Sequence, residues 1–378
     1  MPSADLSQRN IVGIHAETVS NVTSTDFPGH YPGEDHTWNL ANFKRNLRIK
    51  FYRNEPLHAE FDVVHIDASV ANAFRRIMMA EVPTFAIEKV YMLENTSVIQ
   101  DEVLSHRLGL VPIKANQDTL KRMKWYSKKP LPDGSIPSAT TDDTIVFGID
   151  VVCERKPNAP KPTATSTPHP DDLYVNHSVF AKDITYSPVG DQEESFDGNP
   201  PHAASPDILL AKLRPGQVIS AQLHAVKGVG KDHAKFSPVA PASYRLLPTI
   251  EILEPIRSKA AERFKKCFPS GVVEVINDEA VVVNPRNDTV SREVLRHEEF
   301  KDKVRLGRVR DHFMYSVESS GQFDSDDIFL QSIAVLRSKC NVLKSHVETM
   351  LQLEEEKRER EEGVVEDAED VDKMDVDE

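Results

Sequence analysis

The chain has 378 residues, 39% hydrophobic and 28% charged, enough for two or three domains around a sizeable core. Its formal charge is −14, but Glu354 to Glu378 holds fourteen acidic against four basic residues, or −10, leaving −4 on the rest. A near-neutral body excludes a dominant DNA-binding surface, which needs a basic stripe, and no run approaches the ~20 apolar residues of a membrane span.

Met1 to Thr25 has no apolar segment after a basic start, so no export signal is expected. Cys153, Cys267 and Cys340 are widely spaced, with no paired-cysteine motif. That is ordinary intracellular usage, with no disulfide framework or zinc knuckle, and neither metal nor cofactor is expected.

In chain order, residues 1–44 are polar and read as a flexible arm. Leu47, Ile49 and Phe51 alternate, then Ala59, Phe61 and Val63, giving two strands separated by Arg53-Asn-Glu-Pro56. Val70, Phe74, Ile77 and Met78 then recur at helical spacing, with Asp67 or Ser69 to cap the start and Pro83 to stop it. The polar side of this helix carries Asn72, Arg75, Arg76 and Met79. Adjacent arginines lie ~100° apart on a helix and can grip carboxylates or carbonyls of a partner. Taken alone, the stretch fits a surface helix with solvated arginines better.

Phe85 to Asn95 reads as a strand. Asp101 to Leu108 reads as a short helix closed by Gly109 and followed by extended Val111-Pro-Ile113. His106 and Arg107 have no nucleophile or second base nearby, so a structural or subunit-contact role is expected. Thr144 to Cys153 is a well-buried strand, Leu173 to Phe180 another, and Val218 to Val226 a third, among Pro-rich polar loops. In Gly228-Val-Gly-Lys-Asp-His-Ala-Lys-Phe-Ser-Pro-Val-Ala240, a P-loop reading fails at Ala225 and Asp232. The glycines suit a tight turn, and His233 and Lys235 suit a neighbouring subunit.

After a strand at Tyr244 to Leu253 come a helix at Ile256 to Cys267, strands at Val272 to Ile276 and Ala280 to Val283, and a polar helix. Phe313, Tyr315 and Val317 share one strand face. Finally Phe329, Ile333, Leu336, Cys340, Leu343, Val347 and Met350 are spaced alternately by 4 and 3. This is a coiled-coil-like seam, favouring a partner helix over internal core. The run beyond it reads as a frayed helix passing into disorder.

Three of these runs carry a family resemblance. Ala71-Asn-Ala-Phe-Arg-Arg-Ile-Met-Met-Ala-Glu-Val-Pro83 resembles the signature helix of the α subunits of cellular RNA polymerases. Asp101-Glu-Val-Leu-Ser-His-Arg-Leu-Gly-Leu-Val-Pro-Ile113 and the Gly228–Ala240 run are similar to segments of eukaryotic and archaeal α-like subunits. Archaeal relatives carry a ferredoxin-like insertion after this turn that can hold iron–sulfur clusters. Here Asn284-Pro-Arg-Asn-Asp-Thr-Val-Ser-Arg-Glu293 has no cysteine, so the resemblance implies the fold without the metal. That loop, the missing zinc cysteines and the long N-terminal arm resemble most the larger α-like subunit type shared by RNA polymerases I and III.

The resemblance implies an α+β fold with a discontinuous α-type dimerisation domain (45–84, 228–253 and 311–353). A β-rich domain (85–227) and a ferredoxin-like segment (254–310) are inserted, and an acidic disordered tail (354–378) follows. It implies a non-catalytic, nuclear assembly subunit, in nucleolus and nucleoplasm, that pairs with a smaller α-like subunit. It further implies docking to the second-largest subunits of RNA polymerases I and III and to small shared subunits, with no membrane or sequence-specific nucleic-acid contact. Val70, Phe74, Ile77, Met78, Phe329, Ile333, Leu336, Cys340, Leu343 and Val347 are then expected at the dimer interface. Arg75, Arg76, His106, Arg107, His233 and Lys235 are expected to face the large subunits. The competing classes are a redox protein or enzyme, suggested by the ferredoxin-like segment and fourteen histidines, and a free nucleic-acid-binding module.

Overall fold

The computed structural model describes residues 10–22, 37–127, 138–157, 169–196 and 198–374, with 132, 134, 135 and 159 between them. The first described element corrects the expectation of a flexible arm. Ile11–Ile14 form strand β1, which turns back into β2, Val19–Ser20. Val12 and Ile14 are buried; a four-residue strand is too short for its alternation to stand out in the sequence. Helix α1 (Leu40–Asn46) is capped by the Asn39 side chain, and Phe43 and Leu47 lean on the main core. The arm's other residues, 1–9 and 23–36, lie outside the described residues.

Strands β3 (Arg48–Glu55) and β4 (His58–Val64) form the expected hairpin. Helix α2 (Ala68–Ala80) starts where the Asp67 carboxylate accepts the Ser69 amide at 2.7 Å, and Pro83 opens β5 (Pro83–Asn95). Helix α3 (Asp101–Gly109), the short β6 (Ile113–Lys114), helix α4 (Gln117–Arg122), β7 (Thr144–Val152) and β8 (Val218–Val229) follow. The expected strand at Leu173 to Phe180 is split at Asn176, whose φ of +54° ends Tyr174–Val175 and lets Ser178–Phe180 start afresh. The last elements are β9 (Val239–Ile252), α5 (Lys259–Lys266), β10 (Val273–Ile276), β11 (Glu279–Val282), β12 (Val304–Ser319) and α6 (Ser325–Met374).

These strands build two larger sheets. The first runs β2-β1-β12-β4-β3, with β9 also paired to β12. The second runs β7-β8-β5-β6, flanked by Thr185–Tyr186 and His202–Ala203. Alternation on β4 and β12 turns Phe61, Phe313 and Tyr315 inward beneath α2 and α6. There Phe61 stacks on Tyr315 at 5.1 Å and meets Phe329 of α6 at 4.6 Å, and the Tyr315 hydroxyl donates to the Ala71 carbonyl at 2.6 Å. One buried cluster continues from these rings through Phe85, Leu104 and Leu108 to Phe147 and Leu223. The β-rich insertion therefore shares the core of the domain that carries it.

The segment after β9 has a core of its own, built from Ile256, Phe264, Val273, Phe300 and their neighbours, and the β1 residue Ile14 completes it. Its content corrects the expectation. Helix α5 and the β10–β11 hairpin are present, but in place of a second helix there are single 3₁₀ turns at Pro285–Asn287 and Glu293–Arg296. Pro285 and the left-handed Arg292 (φ +61°) interrupt helical continuity there. Among the described residues β10 and β11 form a two-stranded sheet rather than the larger sheet of a complete ferredoxin-like unit.

The tail is corrected as well: α6 runs on to Met374 instead of giving way at Glu354. Residues 354–362 are mostly strong helix formers, with opposite charges four apart as at Glu354 and Arg358.

Candidate subunit interfaces

The apolar residues expected at the dimer interface divide into two groups. Phe329, Ile77 and Met78 are at most 3% exposed and belong to this chain's own core, so they are not available to a partner. The reason is the aromatic stack: once Phe329 packs on Phe61 and against Phe74 at 5.4 Å, the inner face of α2 is filled. Phe74 and Leu336 are half-buried at the margin. Val70, Ile333, Cys340, Leu343 and Val347 are exposed, Leu343 at 66%.

The open surface is also wider than the heptad spacing marks. Leu330, Val342, Leu351 and Leu353 add to it on α6, and Trp38 (75% exposed) and Leu40 lie open around the start of α1. The even density of apolar residues from Leu330 to Leu353 is the signal that could have found the α6 members. Lys339 pairs with Glu81 at 2.8 Å, tying α6 to the end of α2.

On α2 the two arginines differ. Arg75 donates to the Asn72 side-chain oxygen at 3.1 and 2.9 Å and reaches the Met79 sulfur at 3.4 Å, so its guanidinium lies along its own helix. Arg76 is exposed, and among the described residues neither arginine makes an ion pair. The end of α2 abuts the Gly228–Ala240 run. A Cβ on Gly230 would lie 2.3 Å from the Met79 carbonyl, and one on Gly228 2.6 Å from the Phe236 ring. Gly230 stands in the expected tight turn, where the Asp232 amide donates to the Val229 carbonyl at 2.9 Å, while Gly228 lies within β8, and close packing leaves neither room for a side chain. The Lys231 amide donates to the Ala80 carbonyl at 2.8 Å, which seats this run on the helix.

His106, His233 and Lys235 converge on one shallow cleft with Glu88, Gly109 and Leu110. Here two expectations are corrected. The Lys235 ammonium is 2.6 Å from the Glu88 carboxylate and donates to the Ile87 carbonyl at 2.8 Å, so it braces β5 rather than facing outward. Arg107 donates to the carbonyls of Leu210 and Leu209 at 2.9 and 2.6 Å, fastening α3 to the short strand Leu209–Lys212. His106 and His233 are exposed at the cleft.

A further charged centre was not foreseen. Asp62, 1% exposed on β4, accepts both arms of Arg286 at 2.6 and 2.7 Å and lies 2.7 Å from the His312 ring nitrogen. Burial opposes its ionisation, but the Arg286 fork and His312 outweigh burial and hold its pKa below the usual carboxylate range. Arg286 also stacks 3.9 Å over Tyr52, and Arg245 grips the carbonyls of Arg286 and Asp288 at 2.7 and 2.8 Å. The loop that carries no cysteine is thus fixed by a guanidinium. Cys153 and Cys267 are buried in separate cores and Cys340 is exposed on α6. Among the described residues no three His, Cys, Asp or Glu side chains converge as metal ligands.

Residues 60–340 match the profile of the RNA polymerase Rpb3/Rpb11 dimerisation domain. The chain is 50% identical to the DNA-directed RNA polymerases I and III subunit RPAC1 of Saccharomyces cerevisiae over 338 residues, 89% of this chain and 98% of that protein. It is 48% identical to the Homo sapiens protein of the same name, over 85% of this chain and 90% of that one. Identity is 28% with the Arabidopsis thaliana subunit 3 of RNA polymerases II, IV and V, over 82% of this chain and 94% of that one.

Proposed function

The chain belongs to the RNA polymerase Rpb3/Rpb11 family of α-like subunits, and from that premise we infer that it is a non-catalytic assembly subunit of DNA-directed RNA polymerases I and III. The observation that carries the I and III assignment is the identity of about half over nearly the whole chain to subunits named for those two enzymes, against 28% for the subunit named for II, IV and V. Such a subunit works in the nucleus, and we place it in both nucleolus and nucleoplasm.

We propose that the partner in dimerisation is a smaller α-like subunit, seated on the exposed flank of α6 through Ile333, Cys340, Leu343 and Val347, with Val70, Phe74 and Leu336 at the margin. Leaving that much apolar side chain in water is costly, and a partner helix would relieve it. We place Arg75 and Arg76 outside this flank. They, with His106 and His233, would meet the second-largest subunits, where bidentate guanidinium contacts are hard to replace. Small shared subunits complete the set of partners.

The test is a quantitative pull-down of the native full chain. Leu336→Asp/Leu343→Asp should abolish recovery of the smaller subunit. Arg75→Ala/Arg76→Ala should keep that subunit and lower recovery of the large ones by more than about tenfold. Unchanged recovery in the first variant would remove the flank from the interface, and unchanged recovery in the second would return the arginines to solvent.

A further inference from the structure

We propose that the free edge of β3 accepts an extended segment of another polymerase subunit, one in which acidic residues alternate with apolar ones. The inference deepens the assembly reading and rests on it. Strand β3 ends the first sheet: among the described residues it pairs with β4 alone, and all eight of its residues are exposed. From Arg48 to Phe51 it keeps one-to-one register with β4, before a bulge between Phe51 and Arg53. Such an edge presents a row of backbone donors and acceptors that a further strand can take up.

The two faces of this edge differ in chemistry. Residues directly opposite in an antiparallel ladder share a face. Ile49 and Phe51 stand opposite Val63 and Phe61, so they continue the inward apolar row of β4. Across that one step the row passes from buried to open. Val63 and Phe61 are at most 1% exposed, whereas Ile49 and Phe51 are 46% and 40% exposed. The cover over β4 is thus incomplete over β3. On the other face Arg48 and Lys50 stand opposite Val64 and Asp62. The Asp62 carboxylate is taken by Arg286 and His312, and among the described residues neither Arg48 nor Lys50 makes an ion pair. The Lys50 ammonium lies 4.7 Å over the Tyr52 ring instead.

These charges select the occupant. Matching the apolar faces of two β3 strands over this stretch would set Arg48 and Lys50 of one copy against cations of the other, which opposes a self-pair. A segment with Asp or Glu on one face and apolar side chains on the other serves both faces and the backbone row together. Cations on an edge strand also deter unspecific pairing. That accounts for Arg48 and Lys50, but not for the uncovered Ile49 and Phe51 on the opposite face.

The test places a photo-crosslinking residue, p-benzoylphenylalanine, at Arg53 of the full chain co-expressed with the polymerase subunits. The expected result is one adduct, to a segment of a single other subunit in which acidic and apolar residues alternate. In the assembled polymerase, residue-resolved hydrogen exchange should be slow at every amide from Arg48 to Phe51, where pairing with β4 alone protects only alternate ones. Arg48→Glu/Lys50→Gln should lower the adduct yield by about tenfold or more, because like charges then meet across the contact. Lysine in place of the acidic residue at the adduct should lower it likewise. The two changes together should restore it, which a folding defect in either could not do.

The proposal is overturned by an absent adduct, by one within this chain or to a second copy of it, or by one to a segment without acidic residues. It is equally overturned by alternate amides left unprotected, or by a yield indifferent to the charge changes. Failure of the unmodified chain to recover any polymerase subunit would instead defeat the assembly reading, and the source of the added strand with it.

Discussion

The two units joined to the first sheet are attached differently. The β-rich insertion is continuous with its host: Phe85 and Leu104 sit in the same buried cluster as Phe61 and Tyr315. The segment from Ile256 to Phe300 keeps a separate core. That core takes in Ile14 of β1 and Val304 and Leu306 of β12, with Ile250 and Ile252 of β9 packed against it, and the Asp62–Arg286–His312 centre adds a charged contact to the host sheet. A single shared core makes one cooperative unit, whereas a unit with its own core and a charged latch can open by itself. The latch is also more specific, because a guanidinium fork and a carboxylate fit in few arrangements.

The strongest way to break this contrast is Leu104→Ala. Removing a fully buried leucine costs about 2–5 kcal/mol, and because the core is shared, amide protection should fall together in β4 and β5. Loss confined to the second sheet would show that the two sheets have separate cores after all. Arg286→Ala comes next, since it leaves Asp62 buried without its main partner, a change that typically costs about 3–5 kcal/mol. Hydrogen exchange should accelerate in α5, β10 and β11 and stay slow in β5 and β8. Adding Asp62→Asn should return part of the loss, and no recovery would mean that the latch acts by packing alone.

Acid sharpens the same contrast less severely. Asp62 has a folded pKa below its unfolded value of ~3.9, so its contribution is complete above that value and disappears as pH falls through the folded one. Below about pH 4 the α5–β11 unit should lose exchange protection before the shared core does; simultaneous loss would argue against the latch. The smallest effect is expected from truncation after Leu353. The charged continuation of α6 has little apolar surface to bury, so the thermal midpoint and the partner should be unchanged.

The hairpin, α2, α3 and the start of α6 were legible because their apolar residues repeat at helix or strand spacing, with Asp67 and Pro83 as punctuation; Gly109, expected to close α3, is its last helical residue, and Leu110 is the cap. The parts that sequence missed depend on distance. Nothing near Asp62 announces Arg286, 224 residues away, and nothing near Arg107 announces the Leu209 and Leu210 carbonyls that occupy it. For the proposed interface, periodicity marked an apolar stripe on α6 but could not divide it. Phe329 and Ile333 have the same period, and only the position of Phe61 decides that the first is core and the second open.

The place of β12 in the first sheet has a consequence for how the protein is made. Residues 304–319 lie between β1 and β4 and also pair with β9, so three strands synthesised earlier all wait for it. At ~5–20 residues per second, roughly 15–60 s separate the synthesis of β1 from that of its partner. During that interval β4 and α2 cannot complete their sheet, and their apolar faces are exposed to anything nearby. The α6 flank is translated only afterwards. A nascent chain therefore cannot finish its first sheet, or present the proposed pairing surface on α6, until almost all of it has been translated.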